Sequence, residues 1–199
     1  MNRMFLASCT ALVVANTAWC HVLAADPPFI FRDVAEAARL HEPLRGMMGH
    51  AAAWGDVDGD GWLDLFVGTF ADRPAEDYRD GGAAGPVPNQ LLLNRKGKFQ
   101  RSNQQALSWL GRASGSVFAD FDNDGLLDLY VANNGRLGSD NLLYHNHGEG
   151  RFENVTAKAG APLNLPETAR GTTVLDFDGD GLLDLLVLST VGRGETPLP

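Results

Sequence analysis

The sequence has very little cysteine, and what it has stands at Cys9 and Cys20, inside an N-terminal stretch with the features of a secretory signal. Met1 to Met4 carries one arginine, Phe5 to Val14 is largely apolar but too short to span a bilayer, and Val22-Leu-Ala24 or Leu23-Ala-Ala25 supplies small residues for cleavage. This predicts a signal peptide over residues 1–24 and a mature chain that starts near Ala25 or Asp26 without any thiol. A disulfide framework is thereby excluded, and bound metal ions are left as the available cross-links. Leu6-Ala-Ser-Cys9 has the form of a lipobox but stands too early to follow an apolar region. No later run is apolar enough for a transmembrane segment, and no cluster of Lys and Arg suggests nucleic acid. There is also no Ser/His/Asp spacing, phosphate loop or Gly-x-Ser-x-Gly elbow that would point to an enzyme. Of the mature histidines, His41 precedes Pro43, His50 precedes a strand, and His145 and His147 read as turn residues without a third ligand.

What the chain does contain is one acidic pattern three times over: Asp56-Val-Asp58-Gly-Asp60-Gly61-Trp62-Leu-Asp64, Asp120-Phe-Asp122-Asn-Asp124-Gly125-Leu126-Leu-Asp128 and Asp176-Phe-Asp178-Gly-Asp180-Gly181-Leu182-Leu-Asp184. These loops hold twelve aspartates, so a net charge of −9 leaves about +3 for the rest of the sequence. The acidity is local and reports cation binding rather than a repulsive surface. Carboxylates at positions 1, 3, 5 and 9, with glycine at position 6 for a sharp turn, suit a hard cation bound by oxygen. Ca²⁺ takes six to eight oxygens at ~2.3–2.6 Å, which the four Asp side chains, the position 7 carbonyl of Trp62, Leu126 or Leu182, and water can supply. Zn²⁺ prefers nitrogen and sulfur, which these loops lack, and Mg²⁺ prefers an octahedron with several retained waters. An EF-hand needs a bidentate Glu at position 12 and flanking helices. Position 12 is Val67, Val131 and Val187, within runs rich in apolar strand formers, so each loop is expected between two strands.

The loop starts are 64 and 56 residues apart, and other features travel with them. Short apolar segments enter each loop at 53–55, 117–119 and 173–175, and five residues before the first Asp stands a small residue, Ala51, Gly115 or Gly171, read as close packing where strands converge. A hairpin follows the first two loops: Asn89-Gln-Leu-Leu-Leu-Asn94 with Gly97 and Phe99 aligns with Asn141-Leu-Leu-Tyr-His-Asn146 with Gly150 and Phe152. Four short strands per unit predict an all-β fold, a partial β-propeller of about three four-stranded repeats with calcium loops between strands 1 and 2. The domains expected are a lone closing strand (29–34) and connector over 25–47, repeat 1 over 48–110 with a surface-loop insertion at 71–88, repeat 2 over 111–166, and a truncated repeat 3 over 167–199. A closed ring of seven such units needs on the order of 400 residues, so the sequence reads as a fragment.

The loops, the Asn-Leu-Leu-Tyr-His-Asn hairpin and the tail Phe152-Glu-Asn-Val-Thr-Ala-Lys-Ala-Gly160 resemble FG-GAP (VCBS) repeats, as in the propellers of integrin α subunits and of exported bacterial proteins. The resemblance covers roughly residues 29–190. It implies a propeller with calcium in loops on one face, used for adhesion or ligand binding, and implies no known ligand; the partner expected is a protein or carbohydrate, and the signal segment predicts export to the periplasm, cell surface or medium. The functional expectation is a non-catalytic binding module. The alternative is the propeller domain of a larger exported hydrolase or lyase, since fold alone does not decide function.

Overall fold

The computed structural model describes residues 30–134, 140–160 and 168–190. The signal segment 1–24, with both cysteines, and residues 191–199 lie outside this set. Residues 1–32 and 33–199 form separate units. Of the first, only 30–32 are described, and they carry no regular structure.

The second unit is built from three antiparallel groups of strands. Strands β1 (Gly49–Gly55), β2 (Asp64–Thr69), β3 (Gln90–Asn94) and β4 (Phe99–Arg101) form one sheet in that order. Strands β5 (Ala113–Ala119), β6 (Asp128–Asn133), β7 (Leu142–Asn146) and β8 (Phe152–Asn154) form a second of the same order, and β9 (Thr168–Leu175) pairs with β10 (Asp184–Thr190). Each sheet is a meander in which every neighbour in sequence is a neighbour in space, as the hairpin pattern predicts. The small residue five positions before each acidic loop stands directly after a break in register: Ala51 pairs with Gly68, Gly115 with Ala132 and Gly171 with Leu188. The bulge bends the first strand of each group at the same point. Close approach is visible there, because a Cβ on Gly115 would lie 2.9 Å from the Gly171 Cα. Ser114 ties the same two strands together by donating its hydroxyl to the Ala169 carbonyl at 2.6 Å.

Apolar side chains on both faces of the strands are buried because the groups lie side by side. Between the first and second sheets pack Ala53, Phe66, Leu91, Phe118, Leu129 and Tyr144, while Tyr130, Ala132 and Ala169 join Leu185 and Val187 between the second sheet and the third hairpin. As expected for a strand covered on both sides, Leu129, Tyr130 and Val131 are all buried to within 1%. In β10 Leu185 and Val187 pack against the second sheet, while among the described residues nothing covers Leu186 and Leu188, which remain 48% and 57% exposed.

Two expectations are corrected. Residues 30–34 form no strand, and 35–46 run in turns. The local sequence Ala35-Glu-Ala-Ala favours a helical turn, closed by the Ala38 N–H on the Val34 carbonyl at 2.7 Å. This segment is tied to β4, since the Ala38 carbonyl accepts the Phe99 N–H at 2.9 Å, and it covers the face of the first sheet that holds Leu65, Leu92 and Phe99. The insertion 71–88 is more than loop. It carries helix α1 (Ala75–Asp80), whose Tyr78 is 1% exposed and anchors the turn by donating its hydroxyl to the Phe70 carbonyl at 3.2 Å. A second short helix, α2 (Thr156–Ala159), follows β8.

Candidate metal centres

The three acidic loops share one backbone. The residue before the first Asp pairs across the hairpin with the ninth-position Asp in every case, Gly55 with Asp64, Ala119 with Asp128 and Leu175 with Asp184. Between them the chain folds back on itself through left-handed residues. The position 6 glycines Gly61, Gly125 and Gly181 have φ of 85°, 89° and 87°, and position 4 is also left-handed at Gly59, Asn123 and Gly179. Glycine and asparagine are the residues that hold this conformation at least cost.

That path turns successive amides toward the carboxylates. Asp56 accepts the N–H groups of Asp60 and Gly61 at 3.1 and 2.9 Å, and Asp120 accepts those of Asp124 and Gly125 at 3.1 and 3.0 Å. Asp176 accepts Gly179 and Gly181 at 2.8 and 3.1 Å. Position 3 accepts the N–H of position 5, and position 5 that of position 7, in all three loops. The ninth Asp closes the ring by accepting the N–H of position 2: Val57 to Asp64 at 3.0 Å, Phe121 to Asp128 at 3.3 Å and Phe177 to Asp184 at 2.8 Å. One donor oxygen from each of Asp56, Asp58 and Asp64 falls within 4.8 Å of the others; the same holds for Asp120, Asp122 and Asp124, and for Asp176, Asp178 and Asp184. Three of the four sequence-predicted carboxylates of each loop are thus gathered, with Asp60, Asp128 and Asp180 outside these sets, and all-oxygen donor sets of this kind fit a hard cation.

Burial acts strongly on the ninth Asp of the first two loops. Asp64 is fully buried, and burial lifts its carboxyl to about 6, against the Asn94 and Val57 N–H donors that favour the carboxylate. Asp128 is raised for the same reason, opposed by the N–H groups of Asn146 and Phe121. A bound cation would reverse that pressure, because an opposite charge stabilises the ionised form.

Four residues that sequence reasoning gave no role complete the site. Asn94 and Asn146, at matching ends of β3 and β7, each donate a main-chain N–H to the ninth Asp, at 2.7 and 2.9 Å. Their side-chain amides donate to the carbonyls of Leu63 at 2.9 Å and Leu127 at 3.1 Å, clamping the loop to the third strand. The signal was present in the aligned hairpins, where asparagine recurs in otherwise apolar strands, and a buried amide must find partners. Arg95 brings its guanidinium within 2.6 Å of Asp58 and 3.0 Å of Asp60. His145, expected in a turn, lies in β7 with Nδ1 3.1 Å from Asp128 and 3.5 Å from Asp122. No short-range pattern relates Asp122 to a histidine so far along the chain; only the strand pairing brings them together. His41, His50 and His147 lie outside these clusters. His50 stacks on Phe70 with ring centroids 3.6 Å apart, and burial lowers its pKa.

The FG-GAP-like repeat pattern matches residues 78–131 and 120–187, ranges that contain the second and third acidic loops and the strands between. Cartilage acidic protein 1 of Homo sapiens is 29% identical over 164 residues, and its Mus musculus counterpart 29% identical over 162. The matched regions cover 79% of this chain in both comparisons but only 22% and 23% of those relatives, so the chain spans less than a quarter of their length. With the matched ranges together spanning more than half of its residues, the chain belongs to the FG-GAP-like repeat family.

Proposed function

We propose that this is an exported, calcium-binding β-propeller repeat segment that acts as a non-catalytic binding or adhesion module. The observation that carries the reading is the threefold recurrence of one loop geometry, with the same amide-to-carboxylate pairings at β1/β2, β5/β6 and β9/β10. Each loop holds Ca²⁺ through Asp side chains at positions 1, 3, 5 and 9 and the carbonyl of Trp62, Leu126 or Leu182, with water completing the shell. Carboxylates so close repel one another by a few kcal/mol per pair at an effective dielectric of ~20, and the ion holds the loop shut. The ion's role is structural. Export rests on the signal-like residues 1–24, and among the described residues no helix is long and apolar enough to cross a membrane. Family membership and the side-by-side antiparallel sheets support a propeller-like binding scaffold, and the partner is a protein or carbohydrate.

Calorimetry with Ca²⁺ on the mature chain tests this. Binding heat at dissociation constants on the order of 10⁻⁴ to 10⁻³ M, lost when Asp56, Asp120 and Asp176 are changed together to Ala, is the expected result. Absence of heat, or affinity unchanged in the triple variant, would sink the assignment.

A further inference from the structure

We propose that His145, Asp122 and Asp128 form a mixed nitrogen–oxygen site for a borderline divalent cation, Zn²⁺ being the preferred occupant. Donor atoms of the three residues all lie within 4.8 Å of one another. The His145 Nδ1 stands 3.5 Å from Asp122 Oδ2 and 3.1 Å from Asp128 Oδ1. These separations bracket the edge of a tetrahedral shell, about 3.4 Å for bonds of ~2.1 Å. An imidazole in the donor set moves preference away from Ca²⁺ and toward later first-row metals and zinc.

Both carboxylates are held in place by amides, and the Asp128 Oδ1 that faces His145 also accepts the Asn146 N–H. Asp122 accepts the Asp124 N–H on its other oxygen at 3.2 Å, and Asp128 accepts Phe121 and Asn146 at 3.3 and 2.9 Å. Outer hydrogen bonds of this kind orient metal ligands. The three side chains also line a cavity of about 340 Å³ with Phe121, Leu143, Val155 and Lys158, so a fourth position opens onto space for water or a small anion. Neither of the other loops is built this way. The residue of the first unit that matches His145 is Leu93, and among the described residues no histidine joins the third loop's cluster. Asp122 and Asp128 also belong to the second acidic loop, so Zn²⁺ here and Ca²⁺ there exclude each other.

The test uses the metal-free mature chain titrated with Co²⁺, whose visible absorption reports nitrogen ligation and low coordination number, followed by displacement with Zn²⁺. His145→Leu is the informative variant because Leu93 occupies the same position in the first sheet, and circular dichroism checks its fold. The expected result is one Co²⁺ per chain with visible bands that Zn²⁺ removes, and affinity at least tenfold weaker in His145→Leu. Calorimetry with Ca²⁺ reports the first and third loops whether or not Co²⁺ binds, so the two readings fail separately. Bands equal in wild type and His145→Leu, or no bands in wild type, would overturn the proposal.

Discussion

In the first acidic loop a guanidinium reaches the carboxylates at positions 3 and 5; in the second an imidazole reaches those at positions 3 and 9, and the residue that matches the arginine, His147, turns away to Glu153 at 3.0 Å. The loop backbones are otherwise alike, down to the left-handed fourth and sixth residues. Two separate layers of control follow. The loop's own amides set where the carboxylates stand, and the third strand with the residue after it sets which positive or neutral group they face. A repeat thus keeps its loop carboxylates and still presents them to different groups through two positions, Leu93 or His145 and Arg95 or His147.

The sharpest way to break the comparison is to remove the ninth carboxylate. Asp64→Ala would strip the buried Val57 and Asn94 N–H groups of their partner, and Asp128→Ala would do the same to Phe121 and Asn146. Each change should cost about 2 kcal/mol in chelator, a fall in Tm of roughly 4–8 °C for a domain of this size. Asp184 is exposed, and its recorded donor is the exposed Phe177 N–H, so Asp184→Ala should cost well under 1 kcal/mol. Thermal melts of the three variants in chelator decide this. Equal losses at all three positions would mean that burial of the ninth Asp does not distinguish the units.

A smaller difference separates the two clamping asparagines. Asn94 donates its side-chain amide within its own unit, to the Leu63 carbonyl. Asn146 donates to Leu127 of its own loop and also, at 2.9 Å, to the Val57 carbonyl of the first loop. It therefore couples two acidic loops through one buried amide. Asn146→Ala should destabilise by about 1 kcal/mol more than Asn94→Ala, because one additional buried carbonyl loses its donor. It should also weaken calcium binding at the first loop through Val57, whereas Asn94→Ala should leave the second loop unchanged. Denaturant melts and calcium titrations on both variants measure the two effects.

The parts of this arrangement visible in the sequence are those written by local spacing. Carboxylates at fixed offsets, glycine at position 6 and valine at position 12 identify a strand–loop–strand unit without knowledge of tertiary structure. The meander follows because each hairpin is contiguous in the chain. What stayed hidden depends on strand register: Asp64 meets Asn94, and Asp122 meets His145, across separations that no local pattern encodes. Residues 30–34 show the reverse failure. Their composition suits a strand, but a strand forms only with a partner, and the following alanine-rich stretch is tied to Phe99 as a turn instead. Tyr78 belongs with these, as nothing in the polar sequence around it announces that its ring is an anchor.

The smallest expected effect concerns Arg95 and tests whether its guanidinium competes with an ion or supports the loop. Asp58 holds Arg95 firmly protonated through their hydrogen bond, while the arginine side chain itself is 42% exposed. A pair with one partner this exposed contributes at most about 1 kcal/mol, and that bounds what an ion must overcome to replace it. Removing the guanidinium frees Asp58 and Asp60 for the ion and restores the full negative charge of the loop. Arg95→Ala should therefore tighten Ca²⁺ at the first loop by about two- to fivefold, the fold-change that corresponds to 0.4–1 kcal/mol. The measurement needs a background in which Asp120 and Asp176 are both Ala, so that only the first loop titrates. Raised salt should shrink the difference, because screening weakens the arginine's competition. An affinity that falls on Arg95→Ala would assign Arg95 the opposite role, a residue that prearranges the carboxylates for the ion rather than standing in its place.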